Sequence, residues 1–296
     1  MHVVDLFAGV GGFSFGARQA NAEVALAIEA DPHVAQTYRA NHGDHVRVET
    51  LGGDVEALAA ELGRLGKLHL HGSPPCQRLS RVNQRSRDVS GGSELVQWYL
   101  DLVARVRPAT WSMEQVAHPA VKALLLERRL PFTVVNTMDF GVPQSRVRLI
   151  AGSPRIVAAL EARKGSGPTL LPMDVLPSLQ PVENFLLTSG TTNQPVRAMR
   201  DGVRVTVGLR RMDPGEGGRD LHTPCHTVWS RKGSVYDRAK DRVVRELTLS
   251  ECAALQGFPA DVRLCERSAC RSLKMIANAL PPPLARTIAE AAMGNA

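Results

Sequence analysis

The chain has few aromatic residues, few cysteines and no long hydrophobic run. Aromatic residues make up 4% of its 296 residues and hydrophobic residues 44%, so a core must be built mainly from alanine, valine, leucine and isoleucine. This hydrophobic content excludes a disordered or fibrous chain. No apolar run approaches the ~20 residues of a membrane span, and no basic segment followed by an apolar stretch begins the chain. We therefore expect a cytoplasmic protein without a membrane partner.

The cysteines follow no disulfide or metal-site pattern. The five are an odd number and contain no Cys-x-x-Cys pair. This spacing argues against a disulfide framework and against a four-thiolate zinc site. We therefore expect no metal cofactor.

Lysine is also scarce. Six of the 36 basic residues are lysine, and 29 acidic residues leave a net charge of +7. The excess of arginine favours a polyanionic partner, because the planar guanidinium group matches phosphate oxygens and base edges. A genome rich in G and C would produce the same bias through its arginine codons. Composition alone leaves both explanations open.

The order of predicted elements indicates an α/β fold. Short apolar strands alternate with helices over residues 1–152, which predicts a mostly parallel sheet with helices on both faces. Residues 153–245 are rich in proline, glycine and threonine and carry a local charge of +6, and they predict a small, irregular β-rich domain inserted into the first. Helical sequence returns over residues 246–296, with Ser250 as the expected N-cap.

A glycine-rich turn near the start of the chain is the first candidate site. It follows a predicted strand and has the sequence DLFAGVGGF from Asp5 to Phe13. A strand, a glycine turn and a helix start let the backbone approach a nucleotide-like ligand closely. Glu29 ends the second predicted strand, where a carboxylate can accept both ribose hydroxyls. One alternative is a tight strand-to-helix turn that binds no ligand. Another is a dinucleotide oxidoreductase, although the Gly-x-Gly-x-x-Gly motif typical of NAD binding is missing.

A second candidate site is the segment GSPPCQ, which places Cys76 behind two prolines. A cysteine just past a strand end and held by prolines is exposed and aimed, as a nucleophile must be. The alternative is a buried small hydrophobic residue, the commonest state of a free cysteine. The loop that follows contains four arginines and suits closure on a phosphate backbone; they are Arg78, Arg81, Arg85 and Arg87.

Eight segments, in order along nearly the whole chain, resemble motifs of the DNA (cytosine-5) methyltransferase family. They are DLFAGVGGFSFG, EADPHVAQTYRANHG, Gly53-Asp54, GSPPCQ, MEQV from Met113, DFGVPQSRVRLI, RELTLSECAALQGFP and IANALPP. The resemblance implies a class I methyltransferase, Rossmann-like α/β domain formed by residues 1–152 and 246–296. Residues 153–245 would then be the target-recognition domain, with double-stranded DNA in the cleft between the two.

The resemblance implies a reaction as well. A methyl group would pass from S-adenosylmethionine to C5 of a flipped-out cytosine in a specific duplex sequence, through a covalent cysteine adduct. The implied catalytic residues are Cys76, Glu114, Arg146 and Arg148, the two arginines lying two apart on one strand and so on one face. The implied cofactor-binding residues are Phe7, Ala8, Gly9, Gly11, Gly12, Glu29, Ala30, Asp54, Pro75, Asn278 and Ala279. The implied DNA-binding residues are Gln77, Arg78, Ser80, Arg81, Arg85, Gln144, Arg211 and Thr227.

The chain departs from the family pattern at a few positions. Gln115 replaces the usual asparagine after Glu114, Ala30 replaces a bulky residue, and Ala277 replaces a glycine. A tRNA cytosine-5 methyltransferase on the same fold is one alternative, although its usual Cys-Phe-Thr tripeptide is missing from the sequence. A non-catalytic DNA-binding relative is another. We expect a monomer associated with the nucleoid, and a cognate restriction endonuclease is a candidate partner within a restriction-modification system.

Overall fold

The computed structural model describes residues 1–75, 90–179, 185–189, 219–220, 225–226, 228, 233–237, 242–265 and 268–294. No helix among these residues is long and apolar enough to cross a membrane. The strands in this part of the chain are β1 (His2–Leu6), β2 (Val24–Glu29), β3 (Val46–Val48), β4 (Leu68–Gly72), β5 (Thr110–Gln115), β6 (Phe132–Asn136), β7 (Gln144–Ser145), β8 (Val147–Gly152), β9 (Phe185–Ser189), β10 (Arg219–Asp220), β11 (Cys225–His226), β12 (Gly233–Asp237) and β13 (Arg242–Glu246).

A large, mostly parallel sheet organises the first part of the chain. Within the described residues its seven strands lie in the order β3-β2-β1-β4-β5-β8-β6. All neighbours in the row from β3 to β5 are parallel, whereas β8 runs antiparallel to both β5 and β6. The central strand β4 is buried along its whole length, as expected for a strand that is covered on both faces. The predicted α/β fold is confirmed.

Helices cover both faces of this sheet. Within the described residues they are α1 (Gly12–Gln19), α2 (Pro32–His42), α3 (Val55–Gly63), α4 (Ser90–Val106), α5 (Pro119–Glu127), α6 (Pro154–Arg163), α7 (Pro172–Val175), α8 (Leu249–Leu255), α9 (Ala269–Asn278) and α10 (Pro282–Met293). Side chains alternate along β1, so that Val3 packs with α1, α6 and α10 on one face while Val4 packs with α3, α4 and α5 on the other. Helix α6 thus continues the sheet's layers beyond residue 152, where the sequence predicts a domain boundary.

A second, antiparallel sheet follows the first along the chain. Its order in the described residues is β10-β9-β12-β13, and the two-residue strand β11 pairs with β7 instead. Val235 of β12 belongs to a hydrophobic cluster that also contains Leu247, Cys252 of α8 and Ile276 of α9. Helices α8 and α9 therefore pack against the second sheet. The last helix, α10, packs on α1 and α6, which cover the first sheet.

The helix that begins the C-terminal segment is capped differently from the sequence prediction. Ser250 is not its N-cap, because the helix already begins at Leu249. The Thr248 hydroxyl accepts from the Glu251 backbone N–H at 3.1 Å, and the Glu251 carboxylate accepts from the Thr248 N–H at 2.8 Å. This reciprocal pair is a capping box, which satisfies two backbone donors and outcompetes a serine within the first turn.

Candidate active site

Three neighbouring strands of the large sheet end side by side at the candidate site. In the parallel register Leu6 of β1 lies beside Gly72 of β4, and Gly72 lies beside Met113 of β5. The glycine-rich turn, the proline segment and Glu114 are the next residues along these strands. Ligands bind at the carboxyl ends of strands in open α/β sheets. The fold thus brings together three of the segments that the sequence motifs predict to form the site.

The glycines of the first turn have different surroundings. A Cβ on Gly9 would meet nothing within 4 Å, and the φ of +57° is one that glycine adopts readily. A Cβ on Gly11 would lie 2.2 Å from Nε2 of His42, and one on Gly12 would lie 2.2 Å from the Leu280 carbonyl oxygen. Gly11 and Gly12 therefore let α1 pack closely, whereas Gly9 borders the open space in which a ligand would lie.

Glu29 closes the other side of this turn. Its Oε2 accepts from the Gly9 backbone N–H at 2.9 Å, and its Oε1 accepts from the Asp31 N–H at 2.9 Å. The carboxylate is thus fixed at the end of β2 and remains partly exposed, as Ala30 beside it is exposed. A fixed carboxylate next to an open glycine turn fits a ligand with a ribose, such as S-adenosylmethionine.

Trp98 of α4 joins two of the predicted cofactor-binding segments, and no sequence motif pointed to it. Its ring lies edge-on to Phe7 with centroids 6.0 Å apart, and its indole N–H donates to the Gly53 carbonyl at 2.9 Å. Phe7 has a positive φ of 57°, an uncommon conformation for a non-glycine residue. Asp54 is the N-cap of α3 and accepts from the Glu56 N–H at 2.9 Å.

A buried carboxyl lies beneath the glycine turn. Asp5 accepts from the Ser14 hydroxyl at 2.7 Å, Ser14 shares a hydrogen bond with Tyr38 at 2.8 Å, and Tyr38 reaches Nε2 of His45 at 3.0 Å. Burial raises the pKa of Asp5 to about 7, and the charge of Glu29 contributes in the same direction. The turn is thus supported from β1, α1 and α2 together.

The proline segment is attached to the sheet by its own backbone. Ser73 donates its N–H to the Leu6 carbonyl at 3.1 Å, and the Gln115 amide donates to the Pro74 carbonyl at 2.9 Å. The longer side chain of Gln115 therefore still reaches the segment that leads to the predicted nucleophile. Pro75 is exposed. Cys76 itself lies outside the described residues.

Glu114 and Arg148 form an ion pair in the site. Arg148 Nε lies 2.7 Å from Glu114 Oε1, and both side chains are largely buried. Arg146 differs from the prediction that both arginines share one face of a strand, because β8 begins only at Val147. Arg146 is 2% exposed and donates to the Ala277 carbonyl at 2.8 Å. The structure brings Arg148 to Glu114 and Arg146 to the end of α9.

Gln144, a predicted DNA-binding residue, is completely buried. Its amide donates to the Leu255 carbonyl at 3.1 Å and to Gln256 Oε1 at 2.8 Å, and its carbonyl oxygen accepts from the Val228 N–H at 2.9 Å. A direct contact with DNA would require this side chain to break all of these bonds. In this structure the Gln144 side chain connects β7 to Val228 and to the end of α8.

The remaining predicted residues divide between the cofactor side and the undescribed part of the chain. Asn278 is exposed, whereas Ala279 is buried, with its carbonyl accepting from Gln256 at 2.8 Å. Ala8 is buried and donates its N–H to the Ile28 carbonyl at 3.0 Å. The predicted residues that lie outside the described residues are Cys76, Gln77, Arg78, Ser80, Arg81, Arg85, Arg211 and Thr227.

Comparison with known proteins identifies similar sequences along the whole chain. The family model for C-5 cytosine-specific DNA methylases matches residues 1–121 and 187–294. The Type II methyltransferase M1.HphI of Haemophilus parahaemolyticus is 28% identical over 98% of this chain and 86% of its own length. The Type II methyltransferase M.NgoPII of Neisseria gonorrhoeae is 24% identical over 98% of this chain and 95% of its own length.

Solved structures share the fold. A protein described as a DNA modification methyltransferase encoded within an E. coli prophage superposes with a TM-score of 0.66 at 18% identity, covering 99% of both chains. The Dnmt2 methyltransferase of S. pombe superposes with a TM-score of 0.60 at 15% identity, covering 99% of this chain and 98% of that one. At these identities the likeness concerns the fold alone.

Proposed function

Because the chain belongs to the C-5 cytosine-specific DNA methylase family, we propose that it methylates C5 of a flipped-out cytosine in a specific duplex DNA sequence through a covalent adduct at Cys76. The observation that carries this proposal is the alignment of strand ends. Strands β1 and β4 lie side by side, and they lead into the glycine turn and into the segment that ends at Cys76. The next two strands, β5 and β8, carry the paired Glu114 and Arg148.

The chemistry requires a nucleophile, because C5 of cytosine is too electron-poor to take a methyl group directly. Addition of the Cys76 thiolate to C6 moves the electron pair of the C5–C6 double bond, and C5 becomes nucleophilic. S-adenosylmethionine supplies an electrophilic methyl group on a sulfonium centre when it is bound. Loss of the C5 proton and expulsion of the thiolate then restore the aromatic ring and the free enzyme.

Glu114 and Arg148 are proposed to hold the base. The Glu114 carboxyl would bind N3 of the cytosine and stabilise the charge that thiolate addition drives into the ring. Arg148 orients this carboxyl through the 2.7 Å contact from Nε, while its Nη1 donates to the Val147 carbonyl at 2.7 Å. Arg146 is proposed to act on the same ring indirectly, since its guanidinium is attached to Ala277 beside the cofactor segment.

The cofactor is proposed to bind between the glycine turn and the ends of β2 and β4. Open space at Gly9 supports this placement, and so does the fixed carboxylate of Glu29. Phe7 and the Gly53-Asp54 segment, joined by Trp98, are proposed to bind the adenine side. No metal is proposed to take part.

Duplex DNA is the proposed substrate. The proposed target-recognition domain lies within residues 153–245, after α6, which packs on the large sheet. The local charge of +6 supports contact with phosphates, which give affinity without reading sequence. The arginine loop after Cys76 is proposed to contact the backbone, with Arg81 and Arg85 among the residues involved. The target base must leave the stack, because its C6 face is covered in a duplex.

The test is methylation of a random duplex DNA library by the purified chain, followed by conversion sequencing. We expect protected cytosines at one short recurring sequence in the DNA and none in a parallel sample of bulk tRNA. Methylated tRNA with unmethylated DNA would favour the RNA-modifying alternative. No protected cytosine in either sample would overturn the proposal.

A further inference from the structure

Five polar side chains form one continuous hydrogen-bonded chain between β4 and β5, in the interior of the large sheet. His69 and His71 alternate with Thr110, Ser112 and Ser73, and every ring nitrogen of both histidines has a partner. The contacts are His69 Nδ1 to Thr110 Oγ1 at 2.9 Å, His69 Nε2 to Ser112 Oγ at 3.0 Å, His71 Nδ1 to Ser112 Oγ at 2.8 Å and His71 Nε2 to Ser73 Oγ at 3.0 Å.

Such a row of hydrogen-bonded polar side chains is unusual in a sheet core. Strands covered on both faces are usually apolar throughout, and a polar group buried there costs free energy unless it is hydrogen-bonded. Both histidines are 0% exposed, and burial lowers the pKa of His69 to about 3 and that of His71 well below its usual value. Each ring is therefore neutral, with one N–H and one lone pair.

Because each ring is neutral, the hydrogen bonds in this row can be ordered by the direction of donation. Thr110, Ser112 and Ser73 each have one O–H, and when Ser112 donates to one ring and accepts from the other, donation runs from Thr110 towards Ser73 or from Ser73 towards Thr110. The orientation of the Ser73 hydroxyl is thus coupled to groups in the middle of the sheet. Phe13 of α1 stacks on His71 with centroids 3.7 Å apart and planes 5° apart, which fixes the ring that holds Ser73.

This row of hydrogen bonds ends at Ser73, where the catalytic segment has few other attachments within the described residues. Pro74 and Pro75 have no backbone N–H, so nothing between Ser73 and Cys76 can donate from the main chain. The segment is held by the Ser73 N–H on Leu6, by the Pro74 carbonyl on Gln115 and by the Ser73 hydroxyl on His71. Of these three attachments, the hydroxyl is the one that depends on the buried chain.

We propose that His71 and Ser73 are positioning residues for methyl transfer. The buried row of hydrogen bonds fixes the Ser73 hydroxyl, and the Ser73 hydroxyl in turn fixes the segment that leads to Cys76. This inference rests on the proposed role of Cys76 as the nucleophile. It assigns no contact with substrate to either residue. Small displacements of a reacting group are expensive, since a misplacement of about 1 Å costs on the order of 100-fold in rate.

The experiment measures the single-turnover rate of covalent adduct formation on duplex DNA that contains 5-fluorocytosine at the target. Ser73→Ala should slow this rate by about tenfold or more, and Ser73→Thr, which keeps the hydroxyl, should restore most of it. Binding constants for DNA and for S-adenosylmethionine should stay at the wild-type values. Ser153→Ala is the matched control, because Ser153 accepts from the Trp111 N–H at the opposite end of β5.

A double-mutant cycle tests whether the buried row of hydrogen bonds acts through Ser73. Ser112→Ala interrupts the chain in its middle and should slow adduct formation, yet add little to the effect of Ser73→Ala, because both changes act through one hydroxyl. A wild-type adduct rate in Ser73→Ala would overturn the inference, and so would fully multiplicative effects of the two substitutions. Failure of the unaltered protein to form any adduct would instead overturn the proposed role of Cys76.

Discussion

Arg148 and Glu114 form an ion pair with 2.7 Å between Nε and Oε1, across the antiparallel strands β8 and β5. The insertion of β8 between β5 and β6 creates this contact, since it turns the start of one strand toward the end of the other. The arginine thus fixes the carboxyl on which the proposed handling of the cytosine ring depends.

Glu114→Gln should leave the fold intact and lower kcat by about 100-fold or more, because the amide still accepts from Arg148 but has no negative charge or acidic proton. Single-turnover methylation of a cognate duplex measures this. Asp101→Asn is the matched control, since Asp101 pairs with Arg128 at 2.6 Å away from the strand ends. Equal rates for the Glu114 variant and the wild type would exclude Glu114 from the chemistry.

Alanine substitutions at Gly9 and Gly12 should affect cofactor binding and protein stability differently. Gly12→Ala places a Cβ 2.2 Å from the Leu280 carbonyl oxygen and should lower the free energy of unfolding by about 1–3 kcal/mol, as overpacking does. Gly9→Ala should cost less stability, about 1–2 kcal/mol for its positive φ, and should weaken cofactor binding strongly. Thermal melts and titration calorimetry distinguish these effects, and the reverse pattern would refute the assignment of Gly9 to the ligand side.

Asp5 should make stability depend on pH. Its pKa is raised from 3.8 to about 7 in the folded protein, so between these values the unfolded chain ionises this group while the folded chain keeps it protonated. Folding is then opposed increasingly as the pH rises through this window. The free energy of unfolding of Asp5→Asn should therefore rise relative to that of the wild type between about pH 4 and pH 7, by on the order of 1 kcal/mol per pH unit. A constant difference across this range would show that Asp5 is not shifted.

Gln144→Ala should lower the melting temperature, because buried hydrogen-bonding groups of Val228, Leu255 and Gln256 lose their partner. The expected loss is about 1–3 kcal/mol of unfolding free energy. DNA affinity, measured well below the melting temperature, should change little. Weakened DNA binding with an unchanged melting temperature would instead support the DNA contact predicted from sequence.

Much of the fold could be predicted, because alternating apolar strands and helices are periodic in the sequence. The antiparallel placement of β8 could not, since the direction and neighbours of a strand depend on pairing over distance. Motif resemblance pointed to Glu114 and Arg148, but not to their mutual contact. It also could not show that Gln144 is buried or that Trp98 joins two segments, because those facts arise from packing between elements distant in sequence.

The buried histidines show the same limit more sharply. In the sequence LHLHG they are isolated polar residues within an apolar strand. Their partners Thr110 and Ser112 lie on the next strand of the sheet, and only the register that pairs His69 with Thr110 and His71 with Ser112 brings them together.

The most direct test of the proposed reaction is the identity of the methylated nucleoside and its dependence on Cys76. Duplex DNA incubated with the protein and S-adenosylmethionine is digested to nucleosides and measured by mass spectrometry, for the wild type and for Cys76→Ser. We expect 5-methyldeoxycytidine from the wild type and none from the serine variant, because a hydroxyl is a far weaker nucleophile than a thiolate at neutral pH. Comparable methylation by Cys76→Ser, or a product methylated at another atom of the base, would contradict the proposed reaction.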